Sequence, residues 1–232
     1  MRTIGLIGGM IWESSAAYYR IINQEVRARL GALRSAQSLM YSVDFGPIER
    51  AQHAGRWDEA AQVLEAAARR LQAGGADCVV LCTNTMHKVA ERIQAAVSIP
   101  FLHIADPVGR AAAGAGVQTV GLLGTAFTME EAFMKDRLAR QHGLEVLVPT
   151  PAQAADVHRI IYEELCAGTV TDASRAEYLR TMDALAARGA QAIVLGCTEI
   201  GLLVGQQHTS LPLLDTTLLH ARAAVEFALA EA

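Results

Sequence analysis

Ala192-Ile193-Val194-Leu195-Gly196-Cys197-Thr198-Glu199 is an apolar run that breaks at Gly-Cys-Thr. It is rich in β-branched residues, too short for an independent helix and bounded by Gly189 and Gly196, so it reads as a buried parallel strand. In an open α/β sheet the ligand crevice lies beyond the carboxyl ends of the strands, and that rule puts the Cys197 thiol where a substrate could meet it.

Working outward, the same grammar recurs. Thr3-Ile4-Gly5-Leu6-Ile7-Gly8-Gly9-Met10 is a strand ending in a glycine turn, and Trp12-Glu13-Ser14-Ser15 opens a helix to about Leu30 with apolar spacing at Tyr18, Ile21, Ile22 and Val26. Leu39–Val43 reads as a strand, and Trp57–Gln72 as a helix stopped by Gly74-Gly75. Ala76–Thr85 is a buried strand with a polar exit, Lys88–Val97 a helix, and Phe101–Ile104 strand-like. Strands and helices alternating at these lengths predict parallel βαβ units.

The second half repeats the first. Thr119-Val120-Gly121-Leu122-Leu123-Gly124-Thr125 matches Thr3–Gly9, Gly189–Cys197 matches Gly75–Thr83, and Ser210-Leu211-Pro212-Leu213-Leu214 matches Ser98-Ile99-Pro100-Phe101-Leu102, at offsets of 116, 114 and 112 residues. Three matches in one order and nearly one spacing argue for duplication. The expected fold is therefore α/β with two pseudo-symmetric lobes, each a mainly parallel sheet flanked by helices, and an active site in the cleft between them. The lobes are expected at residues 1–102 plus 214–232 and at 103–213. The register pairs Cys197 with Thr83, and Gly196 with Cys82.

Composition bounds the function. The 232 residues are 52% hydrophobic and 19% charged with a net charge of -4, enough for one large core or two modest ones and without the basic footprint of a nucleic-acid partner. No apolar run approaches the ~20 residues of a membrane span and no signal core opens the chain, so a cytoplasmic protein with neither membrane nor nucleic-acid partners is expected. The four cysteines, Cys78, Cys82, Cys166 and Cys197, lack metal-ligand spacing, and Cys78 and Cys82 would stand ~13 Å apart on one strand, so reduced thiols are expected. His53, His87, His103, His142, His158, His208 and His220 show no HxH or HExxH spacing, and the only lysines are Lys88 and Lys135. Neither a metal nor pyridoxal phosphate is expected. His87 is read as a residue that caps or packs beside the Thr85 turn.

A thiol can act as a base toward a carbon acid near neutral pH if helix termini or nearby donors stabilise its thiolate. Cys197 is such a candidate, against the alternative of a buried structural cysteine. Its polar neighbours and the matching exit at Thr83-Asn84-Thr85 favour function.

Gly8-Gly9-Met10 with Trp12-Glu13-Ser14, Cys82-Thr83-Asn84-Thr85-Met86-His87, Gly124-Thr125 with Thr128-Met129, and Gly196-Cys197-Thr198-Glu199 together resemble the aspartate/glutamate racemase family over nearly the whole chain. The resemblance implies cofactor-independent inversion of an amino acid by two residues on opposite faces of the α-carbon, and a homodimer. Family members carry Cys-Asn-Thr in the first half, where this chain has Thr83-Asn84-Thr85 with Cys82 one place earlier. Strand alternation turns Cys82 away from the site, and only a bulge would restore it as a candidate.

The expected pair is Cys197 as base toward the L-enantiomer and Thr83 as opposite-face proton donor. Asn84, Thr85, Thr125, Thr128 and Thr198 match family substrate contacts and supply donors for the α-carboxylate, Met10 lies in the first motif, and Glu199 is expected to meet the ammonium. Gln52 stands near where acidic-substrate members have Arg, and Cys166 where some have Lys. Aspartate or glutamate is the expected substrate, with a neutral polar amino acid such as homoserine as the alternative. A malonate-type decarboxylase and a non-catalytic amino-acid binding protein are the remaining readings.

Overall fold

A computed structural model describes residues 1–230; positions 231 and 232, part of the expected first lobe, lie outside the described residues. The chain divides into two compact units, one of residues 1–103 with those from His220 on, the other Ile104–Leu219. Relative to the expected boundaries, His103 stands in the first unit and 214–219 in the second.

The first unit runs β1 (Ile4–Gly8), α1 (Trp12–Leu30), β2 (Ser38–Ser42), α2 (Phe45–His53), α3 (Trp57–Ala73), β3 (Cys78–Leu81), α4 (Ala90–Ala95) and β4 (Phe101–Leu102). The second runs α5 (Ala105–Gly114), β5 (Thr119–Gly124), α6 (Ala126–Glu130), α7 (Ala132–His142), β6 (Glu145–Leu147), α8 (Pro151–Arg159), α9 (Asp172–Ala187), β7 (Ala192–Gly196), α10 (Ile200–Leu203) and β8 (Leu213–Asp215). Helix α11 (Thr216–Leu229) follows, and its residues from His220 belong to the first unit. Each unit holds a four-stranded parallel sheet, ordered β2-β1-β3-β4 and β6-β5-β7-β8. β8 pairs with β7, Leu214 opposite Val194, which is why the second unit extends past residue 213.

Both sheets are buried on two faces, so their central strands read as continuous apolar runs. In the first, Ile4, Leu6, Cys78, Val80 and Cys82 pack with Tyr18, Ile22 and Val26 of α1 and Ala221, Ala224 and Val225 of α11. On the other face, Ile7, Val79 and Leu81 pack with Leu64, Ala68 and Leu71 of α3 and Ile48 of α2. The second unit repeats the division: Val120, Leu122, Ala192 and Val194 face α5 and α7, and Leu123, Ile193 and Leu195 face α8, α9 and α10. Among the described residues no helix is long and apolar enough to cross a membrane.

Two matched glycines allow a helix to approach each sheet. A Cβ on Gly5 would stand 2.7 Å from the Cys78 carbonyl oxygen and 3.3 Å from Leu71 Cβ; one on Gly121 would stand 2.8 Å from Ile193 Cδ1 and 2.9 Å from Leu185 Cδ1. The first obstruction is backbone and the second the ends of flexible side chains. Gly5→Ala should therefore cost about 1–3 kcal/mol of unfolding free energy, and Gly121→Ala less. Urea denaturation of the two variants measures the difference, and equal losses would contradict it.

Candidate active site

In the first unit the exits of β1 and β3 are adjacent because the strands pair directly. Gly9 turns the chain at a positive φ of 100°, where a Cβ would run into the Val43 carbonyl, and its N–H donates to Ser15 Oγ at 2.8 Å. That glycine ties the first turn of α1 to the end of β2. Met10, expected at the substrate, has its side chain buried in the apolar cluster with Ile7, Ile48 and Met86.

Beyond β3 the alternation of side chains continues. Cys82 joins Cys78 and Val80 in the face toward α1 and α11, its N–H donates to Ile7 O at 2.9 Å, and burial pushes its thiol far above the ordinary range. Thr83 is half-buried. Its N–H donates to Leu81 O at 2.9 Å, and its carbonyl accepts from His87 Nδ1 at 2.8 Å. Asn84 is buried, and Thr85 opens a 3₁₀ turn, Thr85–Val89. Gln52, in the last turn of α2, donates its amide to Met86 Sδ at 2.7 Å and so joins this turn.

Behind the turn lies a grouping that the sequence spacing did not reveal. The His87 ring sits 4.7 Å from His103 and 5.7 Å from His220, centroid to centroid, all three rings buried. His220 Nε2 lies 2.7 Å from Leu102 O and its Nδ1 2.8 Å from the Tyr18 hydroxyl. A carbonyl only accepts, so Nε2 carries the proton and Nδ1 accepts from Tyr18. Burial first, then His103 and His220, hold the His87 pKa well below its ordinary value, so its ring is neutral.

In the second unit Cys197 directly follows β7 and packs against the cluster of Leu195, Tyr178 and Ile200. Its thiol donates to Glu199 Oε2 at 2.8 Å. Burial foremost, then the Glu199 charge and this hydrogen bond, push the Cys197 pKa well up, opposed by the Glu199 backbone amide. The expectation of a thiolate stabilised at rest is thus corrected: the resting sulfur is a thiol held by a carboxylate. Glu199, expected to meet the ammonium, is buried and serves as the acceptor of that thiol.

The remaining predicted residues of this unit gather at the same strand ends. A Cβ on Gly196 would stand 2.9 Å from Leu123 O and 3.1 Å from Thr128 Cγ2, and one on Gly124 3.0 Å from Thr128 Cβ, so two bare glycine positions let the β5 and β7 exits close up around Thr128. Thr125 and Thr128 hydroxyls lie 3.3 Å apart, and Thr198 Oγ1 lies 3.2 Å from Thr217 Oγ1. Asp215 receives the N–H groups of Thr217 and Leu218 and caps the start of α11 beneath them.

Sequence reasoning missed two neighbours, His158 and Tyr178. His158 Nδ1 accepts the Ala126 N–H at 3.2 Å beside the β5 exit. Tyr178, in α9, donates to Val157 O at 3.1 Å, and its hydroxyl pKa is raised, foremost by burial. Cys166 stands on the 3₁₀ turn Leu165–Ala167 after a π-helical turn, Ile160–Glu164, and shares the apolar cluster of Cys197. That change of helix type, of a kind frequent at functional sites, has no simple sequence signal.

A family model described as Asp/Glu/Hydantoin racemase matches residues 7–224. A candidate Asp/Glu racemase from Yersinia pestis is 51% identical, with 99% of this chain and 100% of that one covered and a TM-score of 0.95. An aspartate racemase homologue from Pyrococcus horikoshii is 30% identical, with 98% and 99% covered and a TM-score of 0.88. A broad specificity amino-acid racemase of Bacillus subtilis is 23% identical over 180 residues, 75% of this chain and 74% of its own length. Duplicated parallel sheets, glycine-lined strand exits and likeness over nearly the full length have one explanation: the chain belongs to the Asp/Glu/hydantoin racemase family and is an isomerase.

Proposed function

We propose that the protein is a cofactor-independent amino-acid racemase with aspartate or glutamate as substrate, in which Cys197 removes the α-proton of the L-enantiomer and Thr83 delivers a proton to the opposite face. The observation that carries this reading is the Cys197 thiol bonded to the Glu199 carboxylate. Glu199 takes the thiol proton, the thiolate takes the α-proton, and the carbanion is protonated by Thr83. Thr83 recovers its proton from water, and Glu199 releases to solvent the proton that it took, leaving the former α-proton on Cys197, so the enzyme ends as it began. Asn84, Thr85, Thr125, Thr128 and Thr198 hold the carboxylate, whose enolate form develops the charge they stabilise.

The two bases are unequal. In the register of the repeat the counterpart of Glu199 is Thr85, so Cys197 has a carboxylate at hand and Thr83 has a hydroxyl. A Thr hydroxyl holds its proton far more tightly than a thiol. The enantiomers are equal in free energy, so the two directions share one kcat/KM. The preference for L appears instead as α-proton exchange with retention outrunning inversion.

Substrate charge has a second reading. Gln52 is engaged with Met86 and Cys166 with an apolar cluster, where a distal carboxylate calls for cations. This favours a neutral polar amino acid such as homoserine. Assays with L-aspartate, L-glutamate and L-homoserine separate the two.

Two outcomes test the mechanism. Cys197→Ser should lower α-proton exchange from the L-enantiomer in deuterated water by about 10²–10⁴-fold, whereas Thr83→Ala should lose inversion and keep exchange; exchange surviving in Cys197→Ser would refute the assignment. Glu199→Gln removes a charge that raises the Cys197 pKa. The alkaline rise of the pH–rate profile should therefore move to lower pH while the maximal rate falls, and an unmoved or upward-shifted profile would exclude Glu199 as the thiol's partner.

A further inference from the structure

We infer that His87 is a positioning residue for inversion: its Nδ1–H fixes the Thr83 carbonyl and thereby the direction in which the Thr83 hydroxyl presents its proton. The inference rests on the reading of Thr83 as opposite-face donor. Thr83 lies beyond the last ladder residue of β3, where sheet hydrogen bonds no longer set its backbone. It is held instead at both ends of its own unit, N–H to Leu81 O at 2.9 Å and carbonyl from His87 Nδ1 at 2.8 Å. The second of these is a side-chain bond.

The repeat shows that this bond is a device of the first unit. In register, His87 corresponds to Gly201, and the carbonyl of Cys197 takes its hydrogen bond from the backbone N–H of Ile200 at 3.2 Å. Helix α10 supplies that donor without any side chain. In the first unit the counterpart of Ile200 is Met86, which lies on a 3₁₀ turn, and there it is the His87 imidazole that donates to the Thr83 carbonyl.

The imidazole is itself immobilised. Its ring lies 4.7 Å from His103 and 5.4 Å from Phe101, with the His220 ring fixed between Tyr18 and Leu102 O. A donor locked this way can hold Thr83 within the fraction of an ångström that proton delivery demands, where a misplacement of 1 Å costs about a hundredfold.

The test places His87→Asn, whose amide nitrogen replaces Nδ1, beside His87→Gln, whose amide nitrogen falls nearer Nε2, and beside Thr83→Ala. Each is followed on an L-amino-acid substrate in deuterated water, with exchange and inversion read separately. Thr83→Ala and His87→Gln are expected to lose inversion by about tenfold or more while α-proton exchange stays within about twofold, and His87→Asn to restore inversion to within about threefold. Should His87→Gln fail to fold by circular dichroism, His87→Leu takes its place with the same expectation. Parent-level inversion in the Gln or Leu variant, with Thr83→Ala deficient, overturns the role of His87 alone. Parent-level inversion in Thr83→Ala overturns the reading of Thr83 and this inference with it. Equal loss in the Asn and Gln variants, or exchange falling together with inversion, marks His87 as a structural residue and overturns the inference.

Discussion

The period of two in a buried strand is the constraint on which the site depends. A parallel strand covered on both faces sends alternate side chains into two separate cores, and whichever residue comes next at the strand exit inherits one of those directions. At β3 this sends Cys82 into the layer with Cys78 and Val80, where burial keeps its thiol protonated. At β7 the matching position is Gly196, and Cys197 falls with Ile193 and Leu195. One residue of register thus decides which sulfur is buried among α1 and α11 and which meets a carboxylate at the strand exit.

The second determinant is electrostatic. A half-buried thiol beside a carboxylate is a poor thiolate at rest, because desolvation and a like charge both disfavour ionisation. In the proposed mechanism the same carboxylate receives the thiol proton when a substrate arrives, so the base is kept in its neutral form. Family membership and the duplicated sheets suggest two equal halves, but the residues at the two exits do not match: Cys197 has Glu199, whereas Thr83 has Thr85 and a histidine clamped to its carbonyl. Duplication supplied the scaffold, and divergence at the exits supplied the inequality.

All strands but the short edge strand β6 were legible in the sequence because buried parallel strands are short apolar runs with polar or glycine exits, and the repeat made each half a check on the other. The extents of α1 and α3 were equally readable, through Trp12-Glu13-Ser14-Ser15 at one start and Gly74-Gly75 at one end. Helix α2 and the α5–α9 series went unplaced although several carry readable ends, among them Asp44 before α2, Gly143 after α7, Thr150 with Pro151 at the start of α8 and Thr171 before α9. In the candidate site, the places of Cys197 and Thr83 just past the ends of β7 and β3 were visible from the register of the repeat, while their roles belong to the proposed function. The thiol's protonation was not, because it depends on how deeply the sulfur is buried and where Glu199 turns. Nor were His158, Tyr178 and the His87–His103–His220 group, whose members come together only through tertiary packing of residues far apart in the chain.

The account's central claim is that two unequal groups serve the two faces of one α-carbon. The most direct measurement is a proton NMR time course of the unaltered protein in deuterated water, run separately from the L- and the D-enantiomer of one substrate. The account predicts that deuterium enters the remaining L-enantiomer ahead of inversion, whereas the remaining D-enantiomer stays protiated until it has inverted. Equal deuterium incorporation with retention from both enantiomers would show matched bases and contradict it.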